Sequence, residues 1–289
     1  MPELPEVETM RRGILSAVGC QIECVARIPT AVKPLLITPA AGVMNRRVAG
    51  RQVVAVERIG KRVIVRLETN DRLVFEPRMT GLVLVADPPS VEHLRFRVDL
   101  TGGELETIWY WDRRGLGSVK LFSPKQFDCE VASKFGPDAL ALTSELLRER
   151  LRSSRRAVKV AMLDQQAIAG IGNLYASEIL NIAGVHPTSR CDRLTIAQWQ
   201  RIHAATLDVL LDAIKHEGST LSDGTYRNAL NQSGGYQNQH RVYDRAGELC
   251  RTCNVGIVQR IVQSQRSTFF CPKCQSKQHT PKARYTMLD

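Results

Sequence analysis

The sequence predicts an α+β protein of two domains: an N-terminal antiparallel β-sandwich led by a helix, and a C-terminal helical domain ending in a four-cysteine β-hairpin. Three observations carry this. Short apolar runs broken by turn residues fill positions 21–121, helical periodicity takes over after position 138, and two Cys-x-x-Cys pairs lie near the end. A chain of 289 residues, 43% hydrophobic, is long enough to give both domains a core.

Val7, Met10, Ile14 and Ala17 or Val18 recur at helical spacing, so a first helix is expected to run to about Val18 and bury that stripe. β-type runs follow at 53–56, 63–67, 73–75, 82–85, 94–100 and 105–111, punctuated by Asn70-Asp71, Pro88-Pro89 and Gly102-Gly103. Residues 1–123 form the expected N-terminal domain, and 124–137, bounded by Ser123-Pro124 and Gly136-Pro137, read as a linker. Helical patterns at 144–151, 158–167, 173–183 and 195–216 place a helical domain at 138–243. Within it, 218–243 is rich in Gly, Ser, Asn and Gln and too long for an ordinary connection, which leaves disorder or a functional lid. The cysteines occupy 244–276, and 277–289 is a basic tail.

Net charge is +11 and the pI about 9.5, so a polyanionic partner is expected. The charge is clustered: residues 240–289 hold nine Lys or Arg against Asp244, Glu248 and Asp289. No stretch approaches a membrane span and no signal pattern opens the chain, so a cytoplasmic protein without a membrane partner is expected. Cys20, Cys24, Cys129 and Cys191 are scattered and read as ordinary thiols.

Chemistry is expected at the N-terminus. With Met1 removed, the chain begins at the secondary amine of Pro2. An α-amino group has a pKa near ~7.7–8.0, so roughly a tenth of it is free base at neutral pH. Condensed with a carbonyl-level carbon, such an amine gives a cationic iminium, an electron sink that eases elimination. Glu3 and Glu6 share a helix face beside it and supply acid–base groups. The bland alternative is a solvated, acidic helix start.

Two further motifs stand out. Gly170-Ile171-Gly172 precedes a helix start, where a tight turn can aim N–H groups at a phosphate or simply join two helices. Cys250-x2-Cys253-x17-Cys271-x2-Cys274 has the spacing of a tetrahedral zinc site. With sulfur in all four positions, one structural Zn2+ is expected rather than two redox dithiols or four unconnected thiols.

The opening Met1-Pro2-Glu3-Leu4-Pro5-Glu6-Val7-Glu8 resembles the N-terminus of the formamidopyrimidine-DNA glycosylase family, as do the string from Gly170 to Glu178 and the cysteine hairpin. The resemblance spans residues 1–274. It implies a helix–two-turns–helix motif in the second domain and a base-excision repair enzyme that removes oxidised purines, 8-oxoguanine and formamidopyrimidines, from double-stranded DNA. Pro2 would be the nucleophile and Glu3 the proton donor to the sugar ring oxygen, with Glu6 and Lys61 in support. Strand cleavage would follow by β,δ-elimination, assisted by Arg266 on the hairpin.

The resemblance also implies that Met79 fills the gap left by the extruded base, that Arg114 faces the orphaned base, and that Leu116 wedges beside it. Asn173 and Arg155 would hold phosphates, with Lys159 a further candidate. His93 is the one member present of a usual histidine pair, and Ser219 to Tyr226 would contribute to a lid over the base. Two positions depart from the family: Leu116 stands where phenylalanine is usual, and Glu76 where a phosphate-binding histidine is usual. A monomer acting at the nucleoid is the corresponding expectation. The competing readings are an endonuclease VIII-like glycosylase for oxidised pyrimidines and a non-catalytic zinc-ribbon protein that binds nucleic acid.

Overall fold

The structure is a computed structural model that describes residues 2–31 and 33–277. Met1 and the tail from residue 278, on which two expectations rest, lie outside the described residues. Helix α1 (Leu4–Gly13) opens the chain, with proline in its first turn and Arg11 and Arg12 in its last, as the helix dipole favours. Nine strands follow among the described residues: β1 (Gln21–Arg27), β2 (Leu36–Thr38), β3 (Val53–Ile59), β4 (Arg62–Leu67), β5 (Arg72–Glu76), β6 (Gly81–Leu84), β7 (Leu94–Thr101), β8 (Thr107–Asp112) and β9 (Ser118–Phe122). They form two sheets, β1-β7-β8-β6 and β2-β9-β5-β4-β3. Side chains from both, including Phe75, Phe96 and Tyr110, fill one core with Val7 and Met10 of α1.

The helical domain comprises α4 (Ser144–Leu151), α5 (Val158–Met162), α6 (Asn173–Ile182) and α7 (Ile196–Lys215). Thr195 caps α7 by accepting the Gln198 N–H, and the domain has its own core around Trp199, Tyr175 and Ile179. Leu4 belongs to this second core, whereas Val7 and Met10 belong to the first. Helix α1 packs on β3, β4 and β6 and also on α7. It therefore spans the two domains, and its N-terminal end is fixed from both sides. The hairpin of β10 (Gln259–Gln263) and β11 (Arg266–Phe270) carries the cysteines at its base and lies against α6.

Several expectations are corrected. Helix α1 stops at Gly13, with a separate 3-10 turn at Leu15–Ala17, because Gly13 is the weakest helix former there and takes Ala229 against its bare Cα. Helix α2 (Ala41–Val48) was not foreseen, since its buried stripe is only Met44 and Val48. The second sheet is mixed: β2 pairs with β9 in parallel. Residues 124–137 are not a bare connection, because α3 (Pro124–Glu130) lies there, capped by Ser123, and Phe127 packs on Phe122 and Val74 of the five-stranded sheet. Helix α5 ends at Met162 rather than 167, where Asp164 turns the chain by accepting the Gln166 N–H.

Candidate active site between the two domains

Pro2 is buried at the mouth of α1 and lines a cavity of about 580 Å³ with Lys61, Arg62, Met79, Leu116 and Phe135. Glu3, only 3% exposed, accepts the Leu174 N–H at 3.0 Å from the first turn of α6, where the helix dipole favours a carboxylate. Its other oxygen is buried with no hydrogen-bond partner among the described residues. That atom is left free for a reacting group.

The Gly-x-Gly turn exists for this approach. Gly170 sits at φ +108°, accepts the Leu4 N–H with its carbonyl at 3.1 Å, and takes Leu4 where a side chain would stand. A Cβ on Gly172 would fall 2.1 Å from the Glu3 carboxyl carbon. The turn thus cradles a carboxylate of the same chain, which neither of the sequence readings anticipated.

Glu6 is tied on every side. Its Oε2 accepts the Glu3 N–H at 2.8 Å, and its Oε1 accepts the Tyr175 hydroxyl at 2.5 Å and the Ser219 N–H at 2.9 Å. Burial pushes its carboxyl above the ordinary value, and Glu3 adds to the rise, while these three donors act against it. Burial draws the Lys61 ammonium below its ordinary value, opposed by the charges of Glu3 and Glu6, and Arg266 lowers it further. An ammonium softened in this way, beside two carboxyls, gives up its proton more readily than an exposed lysine.

The loop after β8 is organised by Asp112, which is fully buried. Its Oδ1 accepts the Thr80 hydroxyl at 2.5 Å and the Arg114 N–H at 3.1 Å, and its Oδ2 accepts the Gly117 N–H at 2.8 Å. This leaves the Arg114 side chain exposed and brings Leu116 to the cavity near Met79, itself 38% exposed. Asp112, Thr80 and Tyr175 were missed by sequence reasoning. The last had a signal, as an aromatic hydroxyl two residues into a helix that follows Gly-x-Gly.

Other expected residues take different places. Arg155 is exposed. Lys159 is not on a phosphate approach: it is fully buried, donating to Asn173 Oδ1, to Thr268 Oγ1 at 2.8 Å and to the Ser267 carbonyl at 3.3 Å, and burial draws its pKa down to about 8. Asn173 also donates to the Ser267 carbonyl at 3.0 Å, so its amide joins α6 to the hairpin. Arg266 is exposed at the start of β11. Ser219 is buried and hydrogen bonds His240 through its hydroxyl. Tyr226 is 4% exposed with its ring in the sheet-domain core and its hydroxyl on the Glu217 carbonyl, so it anchors the loop rather than presenting a surface. His93 pairs with Glu92 and lies edge-on to Trp111, outside the cavity wall.

The sulfurs of Cys250, Cys253, Cys271 and Cys274 converge within 4.8 Å of one another, with 3.8 Å between Cys250 and Cys274 and between Cys253 and Cys271. Zinc–sulfur bonds of about 2.3 Å in a tetrahedron require sulfurs about 3.8 Å apart, so the donor set fits a metal ion of that kind. Among the described residues, no helix is long and apolar enough to cross a membrane.

Two family models match the chain: the formamidopyrimidine-DNA glycosylase N-terminal domain over residues 1–119, and the formamidopyrimidine-DNA glycosylase H2TH domain over residues 135–225. A formamidopyrimidine-DNA glycosylase of Chloroflexus aurantiacus is 38% identical over 98% of this chain and 100% of its own length. The one from Bacillus subtilis is 36% identical over 96% and 100%. Among solved structures, a Lactococcus lactis FPG variant in complex with a Fapy-dG containing DNA superposes with a TM-score of 0.83 at 31% identity, covering 96% of this chain and all of that one. The MutM (FPG) protein of Thermus thermophilus gives 0.81 at 32% identity, covering 95% and 98%. With the fold, both domain models and full-length relatives in agreement, the chain belongs to the formamidopyrimidine-DNA glycosylase family.

Proposed function

We propose that this protein is a bifunctional DNA glycosylase and abasic-site lyase that excises oxidised purines from duplex DNA. The observation that carries the reading is the Glu3 carboxyl, seated on the first turn of α6 with one buried oxygen unpartnered, next to Pro2 at an open cavity. The target sugar carbon is inaccessible in a stacked duplex, so the nucleotide must be extruded and the duplex kinked.

With Met1 removed, the Pro2 nitrogen attacks that carbon and the bond to the base breaks, the base leaving with a proton. Glu3 protonates the ring oxygen, the sugar opens, and an iminium links Pro2 to the strand. The iminium acidifies the adjacent C–H, so the 3′ and then the 5′ phosphate leave by successive eliminations. Water releases the enzyme. Lys61, with its lowered proton affinity, serves these transfers, and Glu6 fixes the backbone of Glu3 through the 2.8 Å bond. Met79, Arg114 and Leu116 occupy the gap in the duplex, while Arg155, Asn173 and Arg266 meet phosphates.

The four thiolates hold one zinc ion, which cross-links the hairpin and takes no part in the reaction. The units are the catalytic domain 1–123, a helical domain from 138, and the hairpin 244–276. The protein acts as a monomer. A duplex panel tests the substrate class: excision from 8-oxoguanine opposite cytosine, with little from an oxidised pyrimidine and none from undamaged DNA, is expected. Preference for the pyrimidine lesion would move the assignment to the endonuclease VIII type.

A further inference from the structure

Glu76 is a carboxylate, as is Glu130, in the wall of a cavity that also carries the cations Lys61, Arg62, Arg78 and Lys134. It does not stand alone. Its Oε1 accepts Arg62 Nη2 at 2.8 Å and Arg78 Nε at 3.1 Å, and its Oε2 lies 3.4 Å from the Ser118 hydroxyl. The Tyr110 hydroxyl donates to the Glu76 carbonyl at 2.9 Å and fixes its backbone. The two guanidiniums are held differently. Arg62 lies 4.5 Å over the Phe135 ring with 21% of its side chain exposed, whereas the Arg78 side chain is 60% exposed. Because Arg78 spends Nε on Glu76, its two terminal nitrogens have no hydrogen-bond partner among the described residues.

Arg78 lies on the ridge between two cavities. It lines the one that holds Pro2 and Lys61, and also a second of about 320 Å³ with Lys33, Leu116 and Lys120. Its backbone is at φ +49°, a region that L side chains adopt at a cost and that tends to mark functional turns. Arg62, Glu76 and Arg78 together carry one net positive charge.

We infer that Arg78 is a phosphate-binding residue on the path of the DNA backbone between the two cavities, and that Glu76 is a positioning residue that aims its guanidinium edge outward. An Arg anchored through Nε keeps its terminal N–H pair parallel and pre-set for the two oxygens of one phosphate. Arg62, backed by Phe135, completes the anchor. Glu76 then aids anion binding despite its own charge. The inference rests on the glycosylase reading for its ligand, duplex DNA.

The test is a titration of wild type, R78Q, R78K, E76A and the R78Q/E76A double variant with a duplex carrying an abasic-site analogue, across a range of salt. One phosphate contact contributes about 0.9 to the slope of log K against log salt, so R78Q lowers the slope by about that amount. R78K keeps the slope, since an ammonium still meets the phosphate, and so shows that R78Q has not acted through misfolding. E76A weakens binding several-fold in the wild-type background and not in R78Q. An unchanged slope in R78Q, or an equal effect of E76A in both backgrounds, overturns the inference. Borohydride trapping of the wild type on an 8-oxoguanine duplex runs in parallel. Trapping with an unchanged slope refutes the Arg78 contact alone, and absent trapping with a reduced slope refutes the enzymatic reading while the contact stands.

Discussion

Gly172→Ala isolates the placement of Glu3 from everything else the turn does. Gly172 has φ −128° and ψ −163°, extended backbone open to any residue, so alanine brings no backbone strain. The obstacle is space. Its Cβ would lie 2.1 Å from the Glu3 carboxyl carbon and 2.4 and 2.5 Å from the two oxygens, with ordinary contact beginning at 3.4 Å. The carboxyl must retreat by about 1.3 Å, and the 3.0 Å bond from the Leu174 N–H is lost. Loss of one such bond costs about 1 kcal/mol of stability, well inside what a domain tolerates. A 1 Å misplacement of a reacting group costs about 100-fold in rate. Single-turnover excision of 8-oxoguanine, with thermal unfolding as control, reads both. The reasoning predicts a folded protein slowed about 100-fold at unchanged duplex affinity. Excision at the wild-type rate by a folded G172A would refute it.

Burial alone would raise the Glu8 carboxyl, yet bonds from Arg11 and Arg12 and the charges of Arg11 and Arg58 hold it at about 2. Its native value is depressed, so the stability it contributes is present above about pH 4.5 and is lost as pH falls toward 2. E8Q is expected to lose about 2 to 3 kcal/mol in urea unfolding at pH 7, the exposed Arg12 contact being discounted, and to match the wild type at about pH 2. A constant difference across that range would contradict this. Tyr175→Phe removes one of two donors to Glu6 Oε1, so it should cost about 1 to 2 kcal/mol and move the pH–rate limb set by Glu6 to higher pH. An unshifted profile would show that the hydroxyl does not tune the carboxyl. Atomic absorption is expected to find one zinc per wild-type chain and none in C253S, and lesion-duplex binding of C253S should weaken by more than about tenfold, because Arg266 rides on the hairpin. Full affinity without metal would remove zinc from the account.

The parts of the site carried by local pattern were legible. Glu3 and Glu6 were read as neighbours from a three-residue spacing, the Gly-x-Gly turn before α6 was visible as a turn, and four cysteines at metal spacing are brought within bonding reach of one ion. What was illegible depends on chain segments far apart. Leu174 meets Glu3 across 171 positions, and Ser219 meets Glu6 across 213, so no window of sequence contains either bond. Tyr226 sits in a polar, glycine-rich stretch that suggests exposure, but its ring fills a gap in the sheet-domain core. Lys159 misled for the opposite reason: a lysine is rarely buried unpaired, and its partners, Asn173, Ser267 and Thr268, are supplied by the turn and the hairpin. Helix α2 escaped notice because it packs only Met44 and Val48, too few to set a period.

The central claim is that Pro2 forms a covalent iminium with the lesion-bearing strand. Borohydride reduction during reaction with an 8-oxoguanine duplex, followed by mass mapping of the cross-linked peptide, tests it directly. The account predicts a stable adduct on the peptide that begins at Pro2, with Met1 absent. An adduct at Lys61 or any other amine, or excision with no adduct on protein that lacks Met1 and holds its zinc, would contradict it.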